Sequence, residues 1–221
     1  MHPLHDEALW AARKIQRGPE DSAVLFVSWN ALDAQLNALA SAWAHPRCNH
    51  AVAIKSQPHV EVLKHIVQRG FGLEAATWEE VRLARAAGCP PERIVFDSPV
   101  KRPHEIADCA AHSPGMLLNA NSIEELERIA PHAIRLTVGL RINPMVETDA
   151  PSVYNVSGDE SKFGEPIAHD DDIVRAVLQY PVEALHVHSG SSMRNFDGAV
   201  RALTRLRDLA ARCNEALALA G

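Results

Sequence analysis

The chain has 221 residues, 47% of them apolar and 23% charged, the balance of an ordinary globular protein with length for one substantial core or two small ones. Its net charge of −6, without a basic stripe, argues against nucleic acid as a partner. No stretch approaches the roughly 18 apolar residues of a membrane span, and Asp6 and Glu7 stand where a secretion signal needs an apolar run. The four cysteines (Cys48, Cys89, Cys109 and Cys213) are scattered without a C-x-x-C pair and read as reduced thiols of a cytoplasmic protein.

In chain order, residues 4–17 have the pattern of an amphipathic helix closed by Gly18 and Pro19. AVLFV at 23–27 reads as a strand, and Asn30 as the cap of a helix running to about His45. Strand-like segments then begin near Ala51, Gly72, Arg93, Gly115 and Leu136, at spacings of 21, 21, 22 and 21 residues. Helical patterns lie between them. Gly70 and Gly88 stand where helices end, and Thr77 with Glu80, like Ser122 with Glu125, has capping-box spacing. The segment 143–172 breaks the rhythm with eight acids and one base, Lys162, and reads as a solvated loop for most of those acids. Within it SKFG (161–164) stands out. ALHVH at 184–188 is a sixth strand, followed by a long helix over about 194–219.

Short connections between alternating strands and helices imply parallel strands with right-handed crossovers. A repeat of about 21 residues suits a β/α barrel. The doubly wound open sheet is the alternative, but no G-x-G-x-x-G follows any strand. The expected domains are an N-terminal helix (1–22), a strand and helix (23–45) and an incomplete β/α barrel (46–221).

In such a barrel the chemistry collects at the C-terminal ends of the strands. Those positions carry Lys55, Glu74, Asp97 with Ser98, Asn119, Arg141, and His188 with Ser189, Gly190 and Ser191. Lysine, arginine and histidine at one level suggest a site for an anionic ligand, with Lys55 as a nucleophilic amine. His186 and His188, two apart, point to the same side of their strand. They allow a metal pair, as in barrel hydrolases, or one ligand-facing histidine with a packed or hydrogen-bonded neighbour. The turn 189–192 leads into a helix, and its N–H groups and hydroxyls could hold a phosphate.

These residues together resemble the N-terminal barrel portion of the ornithine/diaminopimelate/arginine decarboxylases, α/β enzymes of the alanine-racemase-like type that use pyridoxal 5'-phosphate. AVAIKS resembles the segment around the Schiff-base lysine, here Lys55. GLEAATWEE resembles the second-strand motif, with Glu74 where aspartate is usual and Glu80 at the family's glutamate. PPERIVFDSPVK, which includes Lys101, resembles the third-strand segment, and NSIEELERI the fourth helix. LRINP, SKFG and ALHVHSGSS match further motifs. The resemblance implies that Arg141 lies near the cofactor, that His188 stacks on its ring and that Ser191 binds its phosphate. Gln57, where asparagine is usual, and Glu74 are departures beside the reactive lysine.

The implied function is decarboxylation of a basic or related amino acid, with Lys55, His188 and Glu74 in catalysis and Lys55, Arg141, His188, Ser191 and Glu80 at the cofactor. A homodimer is implied for the full-length form. A catalytically inactive pyridoxal-phosphate-binding or regulatory homologue is the alternative, and a metal-dependent barrel hydrolase a third. The sequence stops before the family's glycine-rich phosphate loop, the glutamate that pairs with the pyridinium nitrogen and the C-terminal β-domain. Six strands do not close an eight-stranded barrel. The chain is therefore expected to be a fragment, or to need another polypeptide, and to be poorly stable as an isolated monomer. Its strands at 51–55 and 184–188 are expected to be open edges.

Overall fold

A computed structural model describes residues 3–15, 18, 20, 23, 25–151, 156–191 and 193–220. The chain divides into two compact units, Met1–His50 and Ala51–Gly221.

The first unit holds α1 (Pro3–Lys14) and α2 (Trp29–Ala42). Ser28, not Asn30, caps α2: its Oγ accepts from Ala31 N at 3.3 Å and donates to Glu7 at 2.5 Å. A serine hydroxyl serves a free helix N–H, whereas Asn30 already lies in the first turn. The expected strand AVLFV does not form. Ala23 and residues 25–27 are irregular, with Leu25 74% exposed, while Val24 lies outside the described residues. A strand requires a neighbour for its backbone, and none is paired with this segment among the described residues.

The second unit is a parallel sheet with helical crossovers. Its strands are β1 (Ala51–Ala53), β2 (Gly72–Ala75), β3 (Ile94–Phe96), β4 (Leu117–Ala120), β5 (Thr137–Asn143), β6 (Glu165–Pro166) and β7 (Ala184–Val187). β1 to β5 pair in sequence order, and β7 continues on β5 with Arg141 opposite His186. An order that never reverses is that of a barrel sheet, not of a doubly wound one. The two-residue β6, which the sequence pattern did not mark, pairs with the end of β5 beyond the last residue of β4.

The crossover helices are α3 (Val60–Gln68), α4 (Trp78–Ala86), α5 (Pro103–His112), α6 (Ile123–Ile129), α7 (Asp170–Gln179) and α8 (Asp197–Ala220). Leu63, Val81, Ile106, Leu126 and Ile173 are fully buried, one from each of α3 to α7. Phe96 and Leu140 are fully buried on the strands. Burying such side chains is worth about 1.5–3 kcal/mol each. Gly70 and Gly88 end α3 and α4 at φ +86° and +75°, backbone that other residues adopt only with strain. Thr77 caps α4 by accepting from Glu80 N at 3.2 Å. The matching box at Ser122 does not form. Its side chain makes no cap, and Glu125 turns inward to a buried lysine.

As expected, β1 is an edge strand among the described residues, with Ala51 exposed and Val52 and Ala53 half-buried. One further expectation is corrected. Several acids of 143–172 are engaged instead of merely solvated. Asp149 Oδ2 accepts from Arg194 N (3.0 Å) and Asn195 N (3.1 Å), Asp170 and Asp171 pair with Arg212, and Asp172 pairs with Arg175. All four cysteines are free.

Candidate active site

The strand ends meet in one cavity of about 520 Å³, within the usual range of roughly 300–1,000 Å³ for small-molecule sites. Lys55, Glu74, Asp97, Arg141, His186 and His188 all line it.

Lys55 does not sit on the strand itself. β1 stops at Ala53, and residues 54–56 form a single 3₁₀ turn in which Ser56 Oγ donates to Ala53 O at 2.7 Å. Ile54 in that turn is fully buried and anchors it, so the neighbouring Lys55 is left exposed on the cavity wall. Arg141 is buried on β5 and donates to Asp97 Oδ2 at 3.2 Å. Its guanidinium carbon lies 4.6 Å from the centre of the Phe163 ring, a cation–π contact. That contact explains SKFG. Gly164 has φ +78°, and a Cβ there would lie 2.7 Å from Asn143 N, so only glycine lets this turn close against β5.

Asp97 Oδ1 and His186 Nδ1 lie 3.3 Å apart, yet their geometry makes no hydrogen bond and both atoms are buried without a partner. Orphaned buried polar atoms cost about 1–3 kcal/mol each, which favours a polar ligand in this cavity. Burial pushes the Asp97 carboxyl above its usual range, against the pull of Arg141, Lys101, His188 and Lys55. The Glu74 carboxyl is likewise raised by burial, with Lys55 opposing. Burial, then Arg141, Lys101 and Lys55, pushes the His186 imidazole down to about 4. His188 is lowered by burial, Arg141 and Lys55. Both imidazoles are therefore neutral near pH 7, able to stack or accept without adding charge.

Not every expected residue reaches the cavity. Glu80 does not line it; its Oε2 accepts from Ala76 N at 2.6 Å at the start of α4. Asn119 is buried against Gly139, where no Cβ would fit, and Ser98 Oγ donates to Val100 O at 2.7 Å. Ser191 does line the cavity, while Ser192 lies outside the described residues. The turn at 189–191 does not run directly into a helix. α8 starts at Asp197, and the N–H groups of Arg194 and Asn195 before it are taken by Asp149.

Among the described residues no group of three or more His, Cys, Asp and Glu is arranged to hold a metal ion. Phe163, Asp97 and His186 received no cofactor role from the sequence. A lone aromatic in a polar loop before a glycine was the available signal for Phe163. Nothing in the sequence marked the Asp97–His186 approach, which brings together residues 89 positions apart in the chain.

An amine at the rim, a buried arginine, two neutral imidazoles and two raised carboxyls form a site suited to a carbonyl-bearing anion. Residues 30–218 match the family described as pyridoxal-dependent decarboxylase, pyridoxal binding domain, and the chain belongs to that family. It is 28% identical to the diaminopimelate decarboxylase of Methanothermobacter thermautotrophicus over 74% of this chain and 39% of that one. To the L-glutamyl-[BtrI acyl-carrier protein] decarboxylase of Niallia circulans it is 28% identical, over 75% and 40%. The chain thus spans about two fifths of the length of these curated relatives. Its fold is similar to that of Helicobacter pylori diaminopimelate decarboxylase complexed with L-lysine, with TM-score 0.81 and 19% identity over 97% of this chain and 54% of that one. The arginine decarboxylase of Paramecium bursaria Chlorella virus gives TM-score 0.74 and 18% identity, over 98% and 56%.

Pyridoxal 5'-phosphate is the cofactor this family implies, and the cavity fits it. A primary amine faces space for an aldehyde, and orphaned polar atoms line the same wall.

Proposed function

We propose that this chain is the cofactor-binding part of a pyridoxal-phosphate-dependent decarboxylase acting on a basic or related amino acid. The observation that carries the proposal is the convergence of Lys55, Arg141 and His188 on one cavity whose buried Asp97 Oδ1 and His186 Nδ1 have no hydrogen-bond partner.

Lys55 is the amine that would hold the cofactor's aldehyde. The neutral imidazole of His188 would pack on the ring, and Ser191 would donate its hydroxyl to the phosphate. When bound, the cofactor supplies an electron sink for the pair left behind as a carboxylate departs as CO₂. Arg141, held by Asp97 on one side and Phe163 on the other, keeps a fixed positive charge in the cavity wall. Glu74, its carboxyl raised by burial, can hold a proton beside Lys55. Glu80 acts indirectly, by fixing the loop that joins β2 to α4. The proposal extends to a cytoplasmic protein, in keeping with four free cysteines, and to a homodimer in the longer form that the resemblance implies.

The test is CO₂ release from lysine, ornithine, arginine and diaminopimelate by the pyridoxal-phosphate-loaded protein in the longer form that the resemblance implies, beside its Lys55→Ala variant. Release from one of these, lost in the variant, is the expected result. Cofactor bound to Lys55 with no release from any of them would replace this proposal with an inactive binding homologue.

A further inference from the structure

Phe163 covers Arg141 from a turn that closes against β5 at Gly164 and is tied at Ser161, whose Oγ donates to Val156 O at 2.7 Å and accepts from Phe163 N at 3.2 Å. A residue outside the cavity bridges the two sides of the ring. Asn121 follows β4 directly, and its side chain spans the turn on both sides of Phe163. Asn121 Nδ2 donates to Lys162 O at 3.1 Å, and Asn121 Oδ1 accepts from Gly164 N at 3.0 Å. Both polar ends of the amide are thus used on the two residues flanking the ring.

Asn121 is itself anchored. Its backbone N–H donates to Glu125 Oε2 at 2.8 Å. That carboxylate also accepts from Lys101 Nζ (3.0 Å) and Lys101 N (3.1 Å), and Lys101 Nζ donates to Ser98 O at 2.7 Å. Lys101 and Glu125 are both buried. A second tie runs from Ile123 N to Glu165 Oε2 at 3.3 Å, just after the turn. The segments PPERIVFDSPVK, NSIEELERI and SKFG are therefore one connected strut ending on the Arg141 guanidinium.

We propose that Asn121 is a positioning residue that latches the 161–164 turn so that Phe163 stays stacked on Arg141 and holds that cation in the ligand cavity. Asn121 touches no cavity-lining space of its own and acts through Phe163. The importance of Arg141 to a bound cofactor rests on the function proposed above; the latch itself does not.

The experiment uses the full chain, as wild type, Asn121→Ala, Asn121→Asp, Phe163→Leu and the double variants. Two quantities are read beside the melting temperature. One is the rate of phenylglyoxal modification of Arg141 on the ligand-free chain, located by peptide mass spectrometry. The other is the affinity for pyridoxal 5'-phosphate. Asn121→Ala is expected to speed Arg141 modification severalfold and weaken affinity by roughly tenfold, the scale of one to two lost hydrogen bonds. Phe163→Leu should do the same, and the double variant no more than either single one, because both act through one contact. Asn121→Asp, which keeps an acceptor for Gly164 N but loses the donor to Lys162 O, should fall between. If Asn121→Ala does not fold, Asn121→Asp with Phe163→Leu is read in the same way. Effects that add, or a lowered melting temperature with Arg141 modification unchanged, would overturn the latch. A wild-type chain that binds no pyridoxal phosphate sinks the proposed function, while Arg141 modification still decides the latch.

Discussion

Asp97 and His186 face each other across the cavity wall, and burial moves their proton equilibria in opposite directions. His186 falls from its ordinary 6.5 to about 4, so between those values the unfolded chain binds a proton that the folded chain refuses. Stability contributed by the neutral imidazole is complete above pH 6.5 and is lost as pH falls toward 4. Asp97 works the other way. Its carboxyl is raised above 3.8, so the folded chain keeps a proton the unfolded chain has released, and its contribution declines as pH rises through the folded value. The other charged or titratable groups facing this pair are Arg141, Lys55, Lys101, His188 and Glu74. Between pH 6.5 and 5 the His186 effect amounts to about 2 kcal/mol, at 1.36 kcal/mol per pH unit. His186→Phe should therefore lose less stability than wild type when urea unfolding is repeated at pH 7 and pH 5. Equal losses in the two proteins would show that His186 is not the group excluded from protonation.

Among the elements, the buried Lys101–Glu125 pair joins the loop after β3 to α6. Burial lowers the Lys101 ammonium, and Glu125 opposes that shift. Such a pair is modest in net worth but costly to break from one side. Lys101→Met should destabilise by about 3–5 kcal/mol in urea unfolding, since it strands a buried carboxylate. Lys101→Met with Glu125→Gln should recover part of that loss, because the neutral amide oxygen still receives a backbone N–H. A Lys101→Met protein within 1 kcal/mol of wild type, on the scale of an exposed pair, would refute this role. The same elements show what sequence can reveal. The strands of the repeat were legible because each apolar run is fenced by a glycine stop or a capping residue, as at Gly70 and Thr77. Ser122 with Glu125 had equally good spacing, yet the Ser122 side chain makes no cap, and Glu125 serves both Asn121 N and the distant Lys101. AVLFV had strand composition but no partner strand among the described residues, and composition alone does not hold a backbone extended.

For the whole molecule, the sequential strand order places every C-terminal strand end of the second unit on one rim. That is why Lys55, Glu74, Asp97, Arg141 and His188 could be gathered from spacing alone, although they span 134 positions from first to last. What spacing could not supply is the cross-sheet chemistry: Arg141 beside Asp97, Phe163 on Arg141, and Asn121 behind Phe163. Those contacts depend on register and on a single positive-φ glycine, neither of which is written in a periodic pattern. Glu80 illustrates the converse, a residue singled out by motif whose carboxylate serves a loop N–H instead of the cavity. The most direct test of the cavity's identity is intact mass after incubation with pyridoxal 5'-phosphate and borohydride reduction, with peptide mapping of the adduct. A single phosphopyridoxyl group on Lys55 is the predicted result. No adduct, or label spread over exposed lysines such as Lys14, would contradict it.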